Sequence, residues 1–213
     1  MSDDLFREVD EEVRQDRYIK IWKRYGIYVS ALVVTIILIT VGVVVWRDIE
    51  RSALESSSEV LISAIESSSD RQNEALEQFK IIGDEGNEGY RLLAKLREGA
   101  ILSKMGDISG AVLVYDSIAL DNSQDVIYRD LASVLAVSHG MSIMSLGEVE
   151  DRLASIIVEI NPWRYSAREL LATAIMVSGD KKRAIKEFKP LVDDTKAPAG
   201  VRARAAEMLV ILE

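Results

Sequence analysis

Gly106-Asp107-Ile108-Ser109-Gly110-Ala111-Val112-Leu113-Val114-Tyr115 and Gly179-Asp180-Lys181-Lys182-Arg183-Ala184-Ile185-Lys186-Glu187-Phe188 follow one pattern, and that pattern decides the fold. In each stretch a Gly-Asp pair is followed, at identical offsets, by an alanine and then an aromatic ring. Seven residues before each Gly-Asp stands a small residue, Gly99 or Ala172, inside a segment of helical period. Gly106 and Gly179 suit the end of a helix, where a left-handed backbone is needed, and Asp107 and Asp180 suit the N-cap of the next. Small residues at 99, 111, 172 and 184 let paired helices approach closely. Tyr115 and Phe188 would then fill the space toward the following pair. The competing reading, two unrelated hairpins, requires a coincidence at four offsets.

Outward from these stretches, glycine, asparagine and proline signals divide the chain into helices expected at 70–83, 88–105, 107–121, 124–139, 146–159, 162–178, 180–194 and 198–212. Asn161-Pro162 and Ala197-Pro198 put proline at an expected first helical position, where its missing N–H costs nothing. The two copies lie 73 residues apart, which leaves room for a divergent pair at 124–159, where Gly147-Glu148 echoes the turn. Ala75 and Phe79 echo a partial repeat upstream. Three degenerate repeats and a closing helix over 198–212 are expected. Few segments alternate apolar and polar residues, so an all-α fold is favoured over sheet.

Toward the N-terminus, Gly26 to Trp46 is an uncharged run of 21 residues. As a helix it is roughly 31 Å long, against a hydrocarbon core of about 30 Å. Thirteen of the nineteen residues from Ile27 to Val45 are Ile, Leu or Val, which together favour insertion by roughly 4 to 8 kcal/mol. A single transmembrane helix is the expectation. A cleaved signal peptide fits less well, because the run is long and bulky Val43-Val44-Val45-Trp46 stands where small residues would be cut. Arg14, Arg17, Lys20, Lys23 and Arg24 precede the run and only Arg47 and Arg51 follow closely. The positive-inside tendency therefore puts the N-terminus in the cytoplasm and the larger part outside. Lys23, Arg24, Tyr25, Tyr28 and Trp46 are the expected membrane-interface residues.

The resulting order is a charged cytoplasmic arm at 1–25, a signal-anchor helix at 26–46, a juxtamembrane helix or linker at 47–69, and the repeats at 70–213. Leu5, Val9, Val13, Ile21 and Tyr25 recur at multiples of four in the arm, as a stripe for a partner helix or as part of a solvated lead into the membrane. Ser56 to Ser58 and Ser67 to Ser69 punctuate the linker, and a hinge is expected near residue 68.

Residues 47–213 carry 20 basic and 28 acidic side chains, a net charge of −8. That balance disfavours nucleic acid and anionic lipid surfaces as partners. Cysteine is absent, so disulfides and metal thiolates are excluded. His139 is the single histidine and reads as a capping or surface residue at a helix end. Asp193-Asp194 and Glu148, Glu150 and Asp151 read as helix caps rather than metal ligands. No phosphate loop, His-Glu-x-x-His or nucleophile elbow occurs. No enzymatic activity, cofactor or metal is expected. Lys181, Lys182, Arg183, Lys186 and Lys189 form either a solvated face or a contact for an acidic partner.

The paired pattern resembles the tetratricopeptide repeat, whose helix-turn-helix units stack in an α-solenoid of antiparallel pairs. Over nearly the whole length the chain also resembles the YfgM-like ancillary subunit of the bacterial Sec translocon, in its alphaproteobacterial branch. Phe6-Arg7-Glu8-Val9-Asp10-Glu11-Glu12, Trp22-Lys23-Arg24-Tyr25-Gly26, Asn161-Pro162-Trp163-Arg164 and Ala167-Arg168-Glu169-Leu170-Leu171 carry that likeness. It implies an inner-membrane, single-pass protein with periplasmic repeats, whose partners are Sec translocon subunits and periplasmic chaperones. A self-associating scaffold, a homo-oligomer organising another envelope complex, is the alternative.

Overall fold

A computed structural model describes residues 23–26, 28, 32, 35–47, 59–66 and 71–212. Among these residues all regular structure is helical. The chain divides into two compact units, Met1–Ser56 and Ser57–Glu213.

In the first unit, the described part of the apolar run comprises residues 26, 28, 32 and 35–46, all helical. Over 35–47 every side chain is exposed, as befits a segment apolar on all its faces. Thr40 satisfies its hydroxyl by donating to the Ile36 carbonyl at 2.8 Å. No helix among the described residues is long and apolar enough to cross a membrane. The remainder of the run, residues 3–22 of the arm, both serine triplets and the expected hinge at 68 lie outside the described residues.

The second unit opens with helical residues 59–66 and continues through α1 (Gln72–Glu85), α2 (Glu88–Lys104), α3 (Ile108–Ala119), α4 (Val126–Gly140), α5 (Leu146–Ala154), α6 (Arg164–Val177), α7 (Lys181–Asp193) and α8 (Ala199–Leu212). Short turns join most of them, and each helix packs chiefly on its chain neighbours. Contacts are extensive from α1 to α4 and again from α6 to α8, and sparser around α5.

Helix α5 stops at Ala154 rather than at 159, the expected end. Pro162 disfavours helix at Asn161, and Asn161 ties the non-helical stretch 155–163 to α4. Its side chain donates to Asp130 of α4 at 2.7 Å and accepts from the Trp163 N–H at 2.9 Å. The Trp163 indole donates to the Ile127 carbonyl at 2.9 Å. Residues 155–163 are thereby stapled to the start of α4, with Ile156 buried beneath. Pro162 consequently sits two residues ahead of α6 and Pro198 directly ahead of α8, instead of at first helical positions.

Candidate functional site

The two quoted turns adopt the same backbone. Gly106 and Gly179 have φ of 89° and 91°, the only positive values among the described residues. Asp107 follows at φ −82°, ψ 73° and Asp180 at φ −82°, ψ 76°. Each aspartate accepts from the backbone N–H three residues on, Gly110 at 2.9 Å and Arg183 at 3.1 Å. After α2 the Gly106 N–H bonds the Ser103 carbonyl and the Asp107 N–H the Leu102 carbonyl, which closes the helix end in a Schellman pattern.

Four and eight residues beyond these caps lie Ala111 with Tyr115 and Ala184 with Phe188, each 1% exposed or less. The same offsets recur twice more. From the N-cap Arg71 they reach Ala75 and Phe79, and from the N-cap Ser145 they reach Val149 and Leu153, all equally buried. The unit therefore contains four helix pairs, 59–66 with α1, α2 with α3, α4 with α5 and α6 with α7, plus the closing α8. The sequence led us to expect three and a partial repeat upstream; the first pair is completed by 59–66, which was expected to be a juxtamembrane helix or linker.

The third pair, expected as a divergent one at 124–159, departs from the pattern by a compensated exchange of volume. Where two pairs place Gly99 or Ala172, it has Val137; where three place alanine, it has Val149; and where they place an aromatic ring, it has Leu153. Larger residues at the close-approach positions and a smaller one in the gap fill similar space, and all three belong to one buried cluster. Its turn spans residues 141–145 and is capped by Ser145, whose hydroxyl accepts from the Glu148 N–H at 3.2 Å. Gly147 lies inside α5, so the expected turn there is corrected.

Each large side chain sits where three helices meet. Phe79 packs among 59–66, α1 and α2, with Leu61, Ala64, Ala94 and Ile101. Phe188 joins α6, α7 and α8 through Ala172, Ile175, Val201 and Ala205. Tyr115 packs against Ala136 of α4 and beside Gly99 of α2. Burial pushes its hydroxyl pKa up to about 12. His139 is not a cap: its ring stacks on Tyr115, with centroids 5.6 Å apart, and Nδ1 lies 2.9 Å from Ser103 Oγ. A histidine ring, flat and polar at its edge, completes a junction where Tyr115 presents one face.

Paired charges tie alternate helices. The Arg152 guanidinium of α5 holds Asp116 of α3 through two hydrogen bonds and also Glu148. Arg183 of α7 meets Glu150 of α5. Arg204 of α8 grips both oxygens of Glu169 of α6 at 2.6 and 2.7 Å. Among the expected caps, Glu148 and Glu150 thus serve as ion-pair partners, and Asp194 at the end of α7 accepts from the Lys196 N–H. No group of three or more potential metal ligands occurs among the described residues.

Lys23, Arg24, Tyr25, Tyr28 and Trp46 are helical and exposed, and the Arg24 guanidinium lies 5.7 Å from the centre of the Tyr25 ring. The four junctions build a stack of helices that presents side chains on its surface, an arrangement suited to contact with other proteins.

Comparison with curated proteins and with solved structures gives no match. The family profile described as a tetratricopeptide repeat-like domain matches residues 20–139, more than half of the sequence. That span includes the helix-turn-helix of α2 and α3, with Gly106, Asp107, Ala111 and Tyr115 in place. The chain belongs to the tetratricopeptide repeat-like domain family.

Proposed function

We propose that this protein is a membrane-anchored adaptor that binds other proteins through its tetratricopeptide-like repeats, at the Sec translocon and among periplasmic chaperones. Family membership points to protein partners in general. The more specific reading is supported by one sequence observation, the uncharged run Gly26–Trp46 with its basic N-terminal flank, in the same chain as the repeats. A helix of that composition anchors the chain once, and the flanking charges orient the repeats to the outer side of the inner membrane.

Photo-crosslinkers placed on the exposed residues Leu113 and Val177 of the repeats, in intact cells, test the partners. Capture of translocon subunits or periplasmic chaperones is the expected result. Recovery of unrelated proteins alone would reject the export role. A topology reporter fused after Glu213 tests the orientation independently, because activity of a cytoplasm-dependent reporter would overturn it.

A further inference from the structure

The early end of α5 leaves a cleft of about 310 Å³ between the stapled loop, the start of α6 and the end of α7. Ile157, Val158, Pro190 and Leu191 supply apolar walls, and Arg164 and Arg168 supply two guanidinium groups. Pro190 lies in the last turn of α7, where it leaves the Lys186 carbonyl without the helical N–H it would otherwise receive.

The two arginines differ from Arg152, Arg183 and Arg204, each of which holds a carboxylate of another helix. Arg164 makes no direct hydrogen bond to one, although the Lys196 N–H, the shared Tyr165 hydroxyl and, after them, the Arg164 charge hold the pKa of Asp194 down. Its guanidinium lies 4.1 Å from the centre of the Tyr165 ring and donates to the Tyr165 hydroxyl at 2.8 Å and to the Asn161 carbonyl at 3.1 Å. Asp194, the nearest candidate, is committed elsewhere: it accepts from the Tyr165 hydroxyl at 2.8 Å and from the Lys196 N–H at 2.8 Å. Arg168 makes no hydrogen bond or ion pair with any described residue. Glu159 is the other acid on the wall, and it is exposed and unpaired at the rim. A guanidinium that is half-buried beside apolar walls yet makes no ion pair, as Arg168 does, favours an incoming carboxylate.

The wider charge distribution agrees. Residues 47–159 carry 10 basic and 21 acidic side chains, whereas residues 160–213 carry 10 basic and 7 acidic. On α7, Lys182, Lys186 and Lys189 share the face opposite the buried Ala184, Phe188 and Leu191, and all three are exposed. The last pair is a basic lobe on an acidic protein. Beside the cleft, Val158 is 44% exposed and Ile160 is 93% exposed, so apolar surface continues outward from it.

From this we infer that the cleft bounded by Ile157, Val158, Arg164, Arg168 and Pro190 is a docking site for an acidic, apolar peptide segment of a partner protein. A carboxylate of the segment pairs with Arg168 and then Arg164, and a neighbouring apolar side chain enters between Val158 and Pro190. The inference rests on the adaptor reading, since it names the chemistry of what the repeats would hold, but it does not depend on which complex supplies the segment.

The test uses the full chain in a neutral detergent and three fluorescent eight-residue probes. One alternates aspartate with leucine, the second lysine with leucine, and the third aspartate with serine. The first probe is expected to bind saturably and at least about ten-fold more tightly than either of the others. Arg168→Gln should weaken it at least about five-fold, and so should Val158→Asp, which lies in an exposed loop and sets a like charge at the mouth. Val158→Lys should weaken it less than Val158→Asp does, because the added charge is attractive. Unchanged helicity in each variant establishes that the repeats remain folded. Equal binding of the aspartate–serine probe, indifference to both weakening variants, or no binding at all would overturn the inference. So would a wild-type dimer that Val158→Asp dissociates, because the cleft would then serve a second copy. Binding of the first probe with no translocon or chaperone crosslink would reject only the export role.

Discussion

The Tyr115 ring lies so close to the α2 backbone that a β-carbon on Gly99 would stand 2.7 Å from Cζ. Tyr115 is 1% exposed and has His139 stacked on its face, so the ring has little room to withdraw. Gly99→Val should therefore destabilise the fold by about 1–3 kcal/mol through overpacking. Gly89, also in α2, has nothing within 4 Å of the equivalent position. There Gly89→Ala should stabilise by up to about 1 kcal/mol, from helix propensity alone. Urea denaturation of the two variants reads opposite signs from one helix.

The volume exchange in the third pair predicts coupling. Leu153→Phe places an aromatic ring where the other pairs have one, but against Val137 and Val149 instead of small residues. Alone it should cost about 1–3 kcal/mol. Combined with Val149→Ala, which restores the pattern of the other pairs, it should cost less than the sum of the two single changes. A non-additivity of at least about 0.5 kcal/mol in a double-mutant cycle would show the compensation, and strict additivity would refute it.

Glu98, half-buried on α2 and facing Gly83 of α1, should limit stability at neutral pH. Burial raises its pKa above the ordinary 4.5; Lys80 opposes the shift, Asp84 adds to it, Lys95 opposes it and Glu77 adds to it. The folded chain consequently holds the proton more tightly than the unfolded chain. Stability conferred below 4.5 is lost as pH rises through the folded value. Glu98→Gln should raise the melting temperature at about pH 7 and leave it close to wild type at about pH 3, where the carboxyl is protonated in both states. A gain of the same size at both values would exclude the titration as its cause.

The Arg152–Asp116 pair joins α5 to α3 across a stretch where helix contacts are otherwise sparse. Its side chains are 24% and 23% exposed, sheltered but still wetted. A cycle of Arg152→Met and Asp116→Asn should give a coupling of about 1 kcal/mol, reduced by added salt. Coupling indistinguishable from zero at low salt would make the contact incidental.

Most helix boundaries were legible because Gly106, Gly179 and their following aspartates are strong local signals that act through backbone conformation. The family was legible from the same residues. The third pair was legible only as a divergent one with its turn misplaced at Gly147, because Val137, Val149 and Leu153 preserve packing volume while changing every residue type, and Ser145 replaces the Gly-Asp turn. A search for two apolar residues at four and eight positions after each cap would have put the turn at Ser145. The end of α5 depended on Asp130 and the Ile127 carbonyl, some thirty residues away in sequence, which local periodicity does not register. The cleft was hidden for the same reason: Arg164 and Arg168 belong to a quoted motif, but that Arg168 meets no carboxylate emerges only when α6 and α7 are brought together.

The hydrogen bond from the Trp163 indole to the Ile127 carbonyl has an optical corollary. The other tryptophans, Trp22 and Trp46, both precede residue 57, where the second unit begins. With those two replaced by phenylalanine, the emission colour of the chain would report from a single address, the clasp between the α5–α6 loop and α4. A red shift arriving before the loss of helicity would time the opening of that clasp, without any dye or label being attached.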